Sequence, residues 1–495
     1  MVSLPGNTLM HEVTMSKLLR LFFVSVGVLV LIGVALTLVV PHLLDPNAYK
    51  DRFSALVKER TGHTLTFGGD IKLAVFPWVT LELGQVQLSN APGFGATPLA
   101  QSQHASIRVK LLPLLHKQVQ IDKISLNDLR VHLARDVHGQ FNWQGLVAAS
   151  SAKAAPSTQR ATGPALALLE VGGIELRNAH LEWDDRRAGN AYSVSDINVH
   201  TGRFAPGKPF DMAIGCSVTS EQNAPAYRIK LSSVVSADPA TQRYQLRKTY
   251  LELGLPQAGV VTLSSDVDLD LTKQSLVMQA IELGASDFKL TGQLQGSQIL
   301  DNPDLRGELQ IAQFSPRDLL KAFGKPEPTS ADPAVLGKAS ARFSMRAGRD
   351  HVTLKPLSLN LDDSSARGEI TVRDFAKTRF GFMLEVDDIN VDRYLPPPTE
   401  DKAAAPWPVA MLRALNLDGS LHVGRLQAYR LRSTEVRVTV ISKGGELSVQ
   451  PASSQLYQGN YQGDVETDVG SAALRVSADE RLRVARTPAR LPILY

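Results

Sequence analysis

From about residue 64 onward the sequence alternates apolar and polar residues with period two and rarely returns to a helical period, which commits most of the chain to β-sheet. The alternation slips phase at one recurring place. In Leu81-Glu82-Leu83-Gly84-Gln85-Val86-Gln87-Leu88 the apolar residues move from odd to even positions. The stretches 124–131 (ISLNDLRV) and 174–181 (IELRNAHL) slip at the same internal step. Side chains alternate faces along a strand, so an uncompensated slip would turn the later residues to the opposite side. One extra residue taken up as a β-bulge at Gly84 and Gln85, and again at Asn127 and Asp128, keeps Leu81, Leu83, Val86, Leu88, Leu129, Val131 and Leu133 on one face. These seven residues are the candidate apolar groove.

The second and third copies are offset by 50 residues, and the offset also aligns Leu133 with Trp183 and Gly139 with Gly189. Spaced copies of this kind mark stacked repeats rather than separate globules. The grammar continues around Gly292, Gly307, Gly368 and Gly463. A single sheet of this length exposes an aggregation-prone apolar face unless it curls over or receives a ligand. The expected fold is therefore mainly β: an elongated, curled antiparallel sheet with an apolar groove, few short helices and one N-terminal transmembrane helix. With strands about 4.8 Å apart, roughly twenty of them extend about 100 Å.

Composition narrows the partners. Hydrophobic residues are 43% but aromatics only 6%, so the apolar surface is aliphatic and lacks the stacking rings of single-strand nucleic-acid readers. Lys plus Arg 53 against Asp plus Glu 49 gives a net charge of +4, too balanced to point to a polyanion. No nucleic-acid partner is expected. The single cysteine, Cys216, excludes an internal disulfide framework.

Residues 21–40 (LFFVSVGVLVLIGVALTLVV) carry no charge, and as a helix they span roughly 30 Å, the hydrocarbon thickness of a bilayer. The run exceeds the usual signal-peptide core and no small-x-small cleavage site follows, so it reads as an uncleaved signal anchor. Lys17 and Arg20 precede it and hold the short N-terminus, residues 1–20, in the cytoplasm. The bulk of the chain is then exported, in a single-pass topology. Asp45 and Pro46 open a short amphipathic helix over 46–60, with Tyr49, Phe53, Leu56 and Val57 on one stripe and Gly62 to end it. Two readings of that helix stand open: it lies on the membrane surface, or it caps the open end of the sheet.

Linkers read from composition at 150–164, 324–338 and 396–414 divide the exported part into β-rich segments 41–149, 165–323, 339–395 and 415–495. Short helical elements are expected at 315–324, from the N-cap Ser315 and Pro316, and at 390–398.

No catalytic or cofactor signature occurs, and the chain is not read as an enzyme. Asp266-Val267-Asp268-Leu269-Asp270 is the sharpest metal candidate, but the glycine and closing acid of a calcium loop are absent, so it reads as the wet side of an amphipathic strand. The histidines, His132 and His138 among them, form no ligand spacing, and no metal site is assigned. Trp78 reads either as an interfacial membrane anchor or as packing at the sheet's edge, and Asn142-Trp143 has the same two readings.

These residues resemble the AsmA family of bacterial proteins. The resemblance is carried by Tyr49-Lys50-Asp51-Arg52 with Thr61-Gly62, the run FPWVTLELG at 76–84, NAPGFG at 90–95 and LPLL at 112–115. It continues with Arg135-Asp136, Gly139 and Phe141-Asn142-Trp143, covers about residues 15–205 strongly, and is looser to about 480. There Arg393-Tyr394-Leu395-Pro396-Pro397 and Leu456-Tyr457 with Gly459 and Gly463 fit. After Leu482 the run RVARTPARLPILY departs from the family's β-rich continuation. A truncated or frame-shifted product, or natural divergence, accounts for it. MSKLLRLFF makes Met15 an alternative start to Met1.

What the resemblance implies is a protein of the Gram-negative inner membrane with most of its chain in the periplasm, related to TamB and to bridge-like lipid transfer proteins. It implies a role in outer-membrane biogenesis, carrying phospholipid acyl chains between the inner and outer membranes, with an outer-membrane or periplasmic protein as a further partner. The alternative is a non-transporting scaffold that assists outer-membrane protein assembly by strand addition. A weaker third reading is an extracytoplasmic hydrolase.

Overall fold

In a computed structural model the phase slips of the sequence become breaks and bulges in β-strands. The structure describes residues 45–484 except 76–77, 117, 119, 147–170, 221–224, 257, 377, 398–415, 444–445, 457–458 and 469–474. The anchor at 21–40 with Lys17 and Arg20, the linker at 150–164, most of that at 396–414, and the terminal run from 485 lie outside the described residues. Among those described, no helix is long and apolar enough to cross a membrane. The chain divides into two compact units between Ala240 and Thr241. Both are mainly β, with few short helices.

The first unit opens with a 3-10 turn, Pro46–Tyr49, and helix α1, Lys50–Thr61. The Asp45 carboxylate accepts from the Asn47 N–H at 2.9 Å, and Gly62 closes the helix at φ +76. The start and stop signals in the sequence are the ones used. The Asn47 amide bonds both backbone groups of Ile71 and the Ser54 hydroxyl donates to the Leu65 carbonyl, so the turn and the helix together cap the first strands through polar groups.

Short strands follow: β1 (Leu65–Phe67), β2 (Ile71–Ala74), β3 (Val79–Leu83), β4 (Val86–Leu88), β5 (Ala100–Ser102), β6 (His104–Val109), β7 (Ile121–Asn127) and β8 (Arg130–Arg135). Helix α2 (Leu111–Leu115) joins β6 to β7. Each consecutive pair is one strand interrupted in the middle. Thus β3 pairs with β2 and β6, while β4 pairs with β1 and β5. The interruption at Gly84 is a close backbone crossing: a Cβ there would lie 3.0 Å from the Gly69 Cα, so glycine is needed on both sides. At the matching break Asp128 sits at φ +51. Long strands β9 (Ile174–Asp185), β10 (Asn190–Thr201), β11 (Pro209–Thr219) and β12 (Tyr227–Asp238) complete the unit. β9 runs parallel to β7 and then to β8, and the rest of the ladder from β9 to β12 is antiparallel.

The second unit is a ladder of long strands: β13 (Arg243–Leu255), β14 (Gly259–Asp270), β15 (Ser275–Ala285), β16 (Phe288–Ser297), β17 (Asp304–Phe314), β18 (Ala339–Ala347) and β19 (His351–Leu361). It continues with β20 (Ser364–Arg373), β21 (Arg379–Asn390), β22 (Leu417–Ala428), β23 (Leu431–Lys443), β24 (Glu446–Leu456), β25 (Gly459–Asp468) and β26 (Arg475–Val484). Each pairs with the next, antiparallel except for the parallel pair β21–β22. The expected helix after β17 is α3 (Pro316–Ala322), with the Ser315 hydroxyl accepting from the Asp318 N–H at 3.1 Å. A 3-10 turn, Val391–Arg393, follows β21.

The stretch 324–338, linker-like in composition, is pinned in place. Arg393 forms ion pairs with Asp332 at 2.8 Å and Asp363 at 2.7 Å, and Val335 is fully buried. Asp362 accepts from the N–H groups of Leu336, Gly337 and Lys338 and from the Tyr394 hydroxyl. This gives Arg393-Tyr394 a structural role that linear spacing concealed.

Candidate functional site

Residues directly paired across a sheet project to the same face, so register converts separate strands into rows. In the second unit one row runs Leu251, Leu263, Leu283, Leu290, Ile311, Ala341, and on through Leu359, Ala366, Val386, Val423 and Val436. Every position across β13–β23 is aliphatic. A parallel row runs Leu246, Val267, Met278, Leu294, Gly307, Met345, Leu354, Ile370, Phe382, Gly419 and Val440. Leu290 and Leu294 lie four apart on β16, and period two therefore puts both rows on one face. Between them, Gly292, Leu309, Phe343, Leu357, Gly368, Leu384, Leu421 and Val438 form a third row over β16–β23.

Bulges keep these rows in phase. β13 and β15 each carry one residue at positive φ, Lys248 and Ala280, where their register shifts. The face is not sealed. Of the first row only Val423 and Val436 are buried, and the other nine are half-buried. The opposite side of β16–β18 carries Thr291, Gln293, Arg306, Glu308, Gln310, Arg342 and Arg346, with Arg342 donating to Gln310 at 2.8 Å. A cleft of about 900 Å³ across β15–β21 is lined mostly by residues of that polar side, Gln293, Glu308, Gln310, Arg342 and Glu369 among them, with Leu309 and Phe343 of the middle row also in its lining.

The sequence candidates lie in the first unit. Leu83 pairs with Ala105, Ala105 with Leu126, Leu126 with Leu176, Leu176 with Val199 and Val199 with Ile214. Leu88 pairs with Ala100, Ala100 with Val131, Val131 with Leu181, Leu181 with Val194 and Val194 with Val218. Ile214 and Val218 are four apart on the continuous strand β11, so both chains of pairs share a face. Leu81, Leu83, Val86, Leu88, Val131 and Leu133 consequently point to one side, and all six are half-buried. Leu129 falls between strands, with its carbonyl accepting from the His180 N–H at 2.7 Å. Asn178 at φ +52 in β9 and Asp196 at φ +53 in β10 absorb the extra residue there.

Trp78 is 41% exposed, with the Arg108 guanidinium 5.8 Å from its ring centre. Asn142 is fully buried: its amide accepts from the Ala134 N–H and donates to the His132 carbonyl and to Asn90, taking the place of a missing strand beside β8. Trp143 packs between Phe141 and Trp183, with ring centres 4.7 and 5.6 Å away. Asn142-Trp143 is thus packing.

The Asp266-Asp268-Asp270 set is already engaged by β13. Arg247 pairs with Asp268 at 2.6 Å, Arg243 with Asp270 at 3.0 Å, and the Lys248 N–H donates to Asp266. The Arg247 hydrogen bond, outweighing burial, holds Asp268 below the usual carboxylate range. Sequence reasoning missed a trio that the 50-residue offset encodes, in which His132 and His180 both contact Glu182, at 3.3 and 3.1 Å. Burial pushes the Glu182 pKa up, but the two imidazoles outweigh it and the carboxyl titrates low.

In each unit a mostly antiparallel sheet carries rows of apolar residues on one face, which defines a β protein that presents apolar surface. A model of the AsmA family matches residues 15–486, and the chain belongs to that family. It is 27% identical to Protein AsmA of Escherichia coli (strain K12) over 115 residues, 23% of this chain and 18% of that protein. The chain thus matches less than a fifth of that relative's length. No solved structure matches it.

Proposed function

We propose that the chain is an inner-membrane-anchored periplasmic protein of outer-membrane biogenesis that carries phospholipid acyl chains along its apolar sheet face. The observation that carries this reading is the set of apolar rows over β13–β23, most of whose side chains are only half-buried. Burial of ten methylenes of an acyl chain on such a face gains roughly 8 kcal/mol before ordering costs. The rows carry no hydrogen-bonding side chain to fix a ligand at one point, so this energy is spread along the face and movement past each strand costs little. The polar side of the sheet stays wet.

Photo-crosslinking probes at Leu309 and Leu384 in the membrane-bound full chain should form phospholipid adducts, and a probe at Glu308 on the polar side should not. Equal labelling of both faces, or none, overturns the conduit. The second reading, a scaffold that assists outer-membrane protein assembly, is favoured by β26, which pairs only with β25 among the described residues and so offers an edge for a client strand. Client-strand adducts at β26 without lipid adducts on the rows would select it.

A further inference from the structure

Helix α1 is inverted relative to an ordinary surface helix. Its half-buried residues are Lys50, Ser54, Val57 and Thr61, of which only Val57 is apolar. Tyr49, at the N-cap of the helix, and Phe53 and Leu56 within it are instead 49%, 51% and 44% exposed, and no residue of the helix is buried. Their spacing of four and three residues places them on one stripe. Arg60, four residues beyond Leu56, extends the stripe with a positive charge, and Arg52 flanks it.

The chain outside the described residues says what covers this stripe. The uncharged run 21–40 ends five residues before Asp45, which caps the turn leading into α1. Even a fully extended connection leaves the stripe within about 30 Å of the end of that run. The helix also lies against β1, at the beginning of the sheet. Three apolar side chains are too few to hold a protein on a bilayer alone, but a helix tethered beside an anchor meets the surface at high effective concentration. The arginines complement anionic headgroups.

We propose that the Tyr49, Phe53 and Leu56 stripe of α1 seats in the interface of the membrane that residues 21–40 enter, and so lays the first edge of the sheet on that membrane. This rests on the anchored reading above. It assigns the helix both roles that its sequence left open, with the polar side capping the sheet and the apolar side meeting lipid.

The test uses the full chain with Cys216→Ser and one new cysteine, Phe53→Cys or Lys58→Cys, carrying an environment-sensitive fluorophore. The chain is reconstituted into vesicles of phosphatidylethanolamine and phosphatidylglycerol, and iodide is added on the side bearing the sheet. The label at position 53 should shift to the blue and be quenched several-fold less than the label at position 58. Equal quenching at the two positions, in vesicles that retain the chain through an alkaline wash, overturns the seated stripe and leaves the anchor standing. Release of the chain by that wash overturns the anchor and the stripe together. Shielding of position 53 that persists without lipid in amphipol assigns the stripe to a protein contact and also overturns the proposal.

Discussion

Between residues 65 and 135 the sheet is made of strands three to seven residues long, whereas β16 to β22 run nine to twelve. The short strands are locked by buried groups: Leu99, Phe94, His63 and Asn142 are all buried, and the His63 imidazole reaches the Ser89 carbonyl at 2.8 Å. The long strands have few such anchors. Most side chains of their apolar rows stay half-buried, Leu357 and Val423 excepted, and their cohesion comes from ladder hydrogen bonds and lateral contacts. The first region behaves as a small packed core, and the second as a sheet whose face is still available. Loss of one side chain should therefore be felt as unfolding in the first region and as lost binding in the second.

Among single truncations the hardest blow to that contrast is Asn142→Ala, which leaves the buried Ala134 N–H and His132 carbonyl without their partner. A cost of about 3 kcal/mol is expected, read as faster hydrogen exchange confined to residues 65–135. Exchange that rises equally in β16–β22 would erase the distinction. Gly368→Ala attacks the second region where it is tight, because the new Cβ would meet the Met383 carbonyl oxygen at 1.8 Å with the backbone at φ +147. About 2 kcal/mol of destabilisation is expected, with β20 and β21 separating first in exchange.

Leu384→Asp sharpens the comparison most directly. On a face that water reaches, the carboxylate should lower stability by less than about 2 kcal/mol while abolishing lipid adducts. Leu99→Asp, at a site only 2% exposed, should unfold its region outright. Thermal unfolding of the two variants side by side decides, and equal collapse would mean that the rows are a closed core.

A smaller effect is expected at the pinned loop. Burial, with help from Asp362, pushes the Tyr394 hydroxyl up to about 12. Asp362→Asn should bring that titration back toward the ordinary tyrosine value, as read by its NMR shift, and loosen 331–338 by about 1 kcal/mol. Burial raises the Asp362 pKa, but the N–H groups of Leu336, Lys338 and Gly337 and the Tyr394 hydroxyl outweigh it, so the folded value lies below 3.8. The loop's stabilisation should be complete above that value and fade as pH falls through the lowered one. Unchanged exchange of 331–338 across this acid range would remove Asp362 from the account.

Local pattern was legible without the fold. Period two gave the strands, Asp45 with Gly62 and Ser315 with Pro316 gave the helix limits, and the slips marked the places of irregularity, which are strand breaks rather than bulges at Gly84 and Asp128 and a bulge at Asn178. These depend on residues within a turn or a strand of one another, where backbone sterics and side-chain direction act. What required the tertiary structure was register. Nothing near Leu251 in the chain announces that its row ends ten strands later at Val436, and nothing near Arg393 announces Asp332. The Leu88, Ala100 and Val131 row likewise depends on the connections 89–99 and 110–120, which bring distant strands into step. A two-residue slip in any one pairing would preserve every local preference and still misalign these partners along the face. Only the summed ladder bonds, the bulges and the packing of the connecting segments select one alignment, and that alignment turns an alternating sequence into a continuous apolar face.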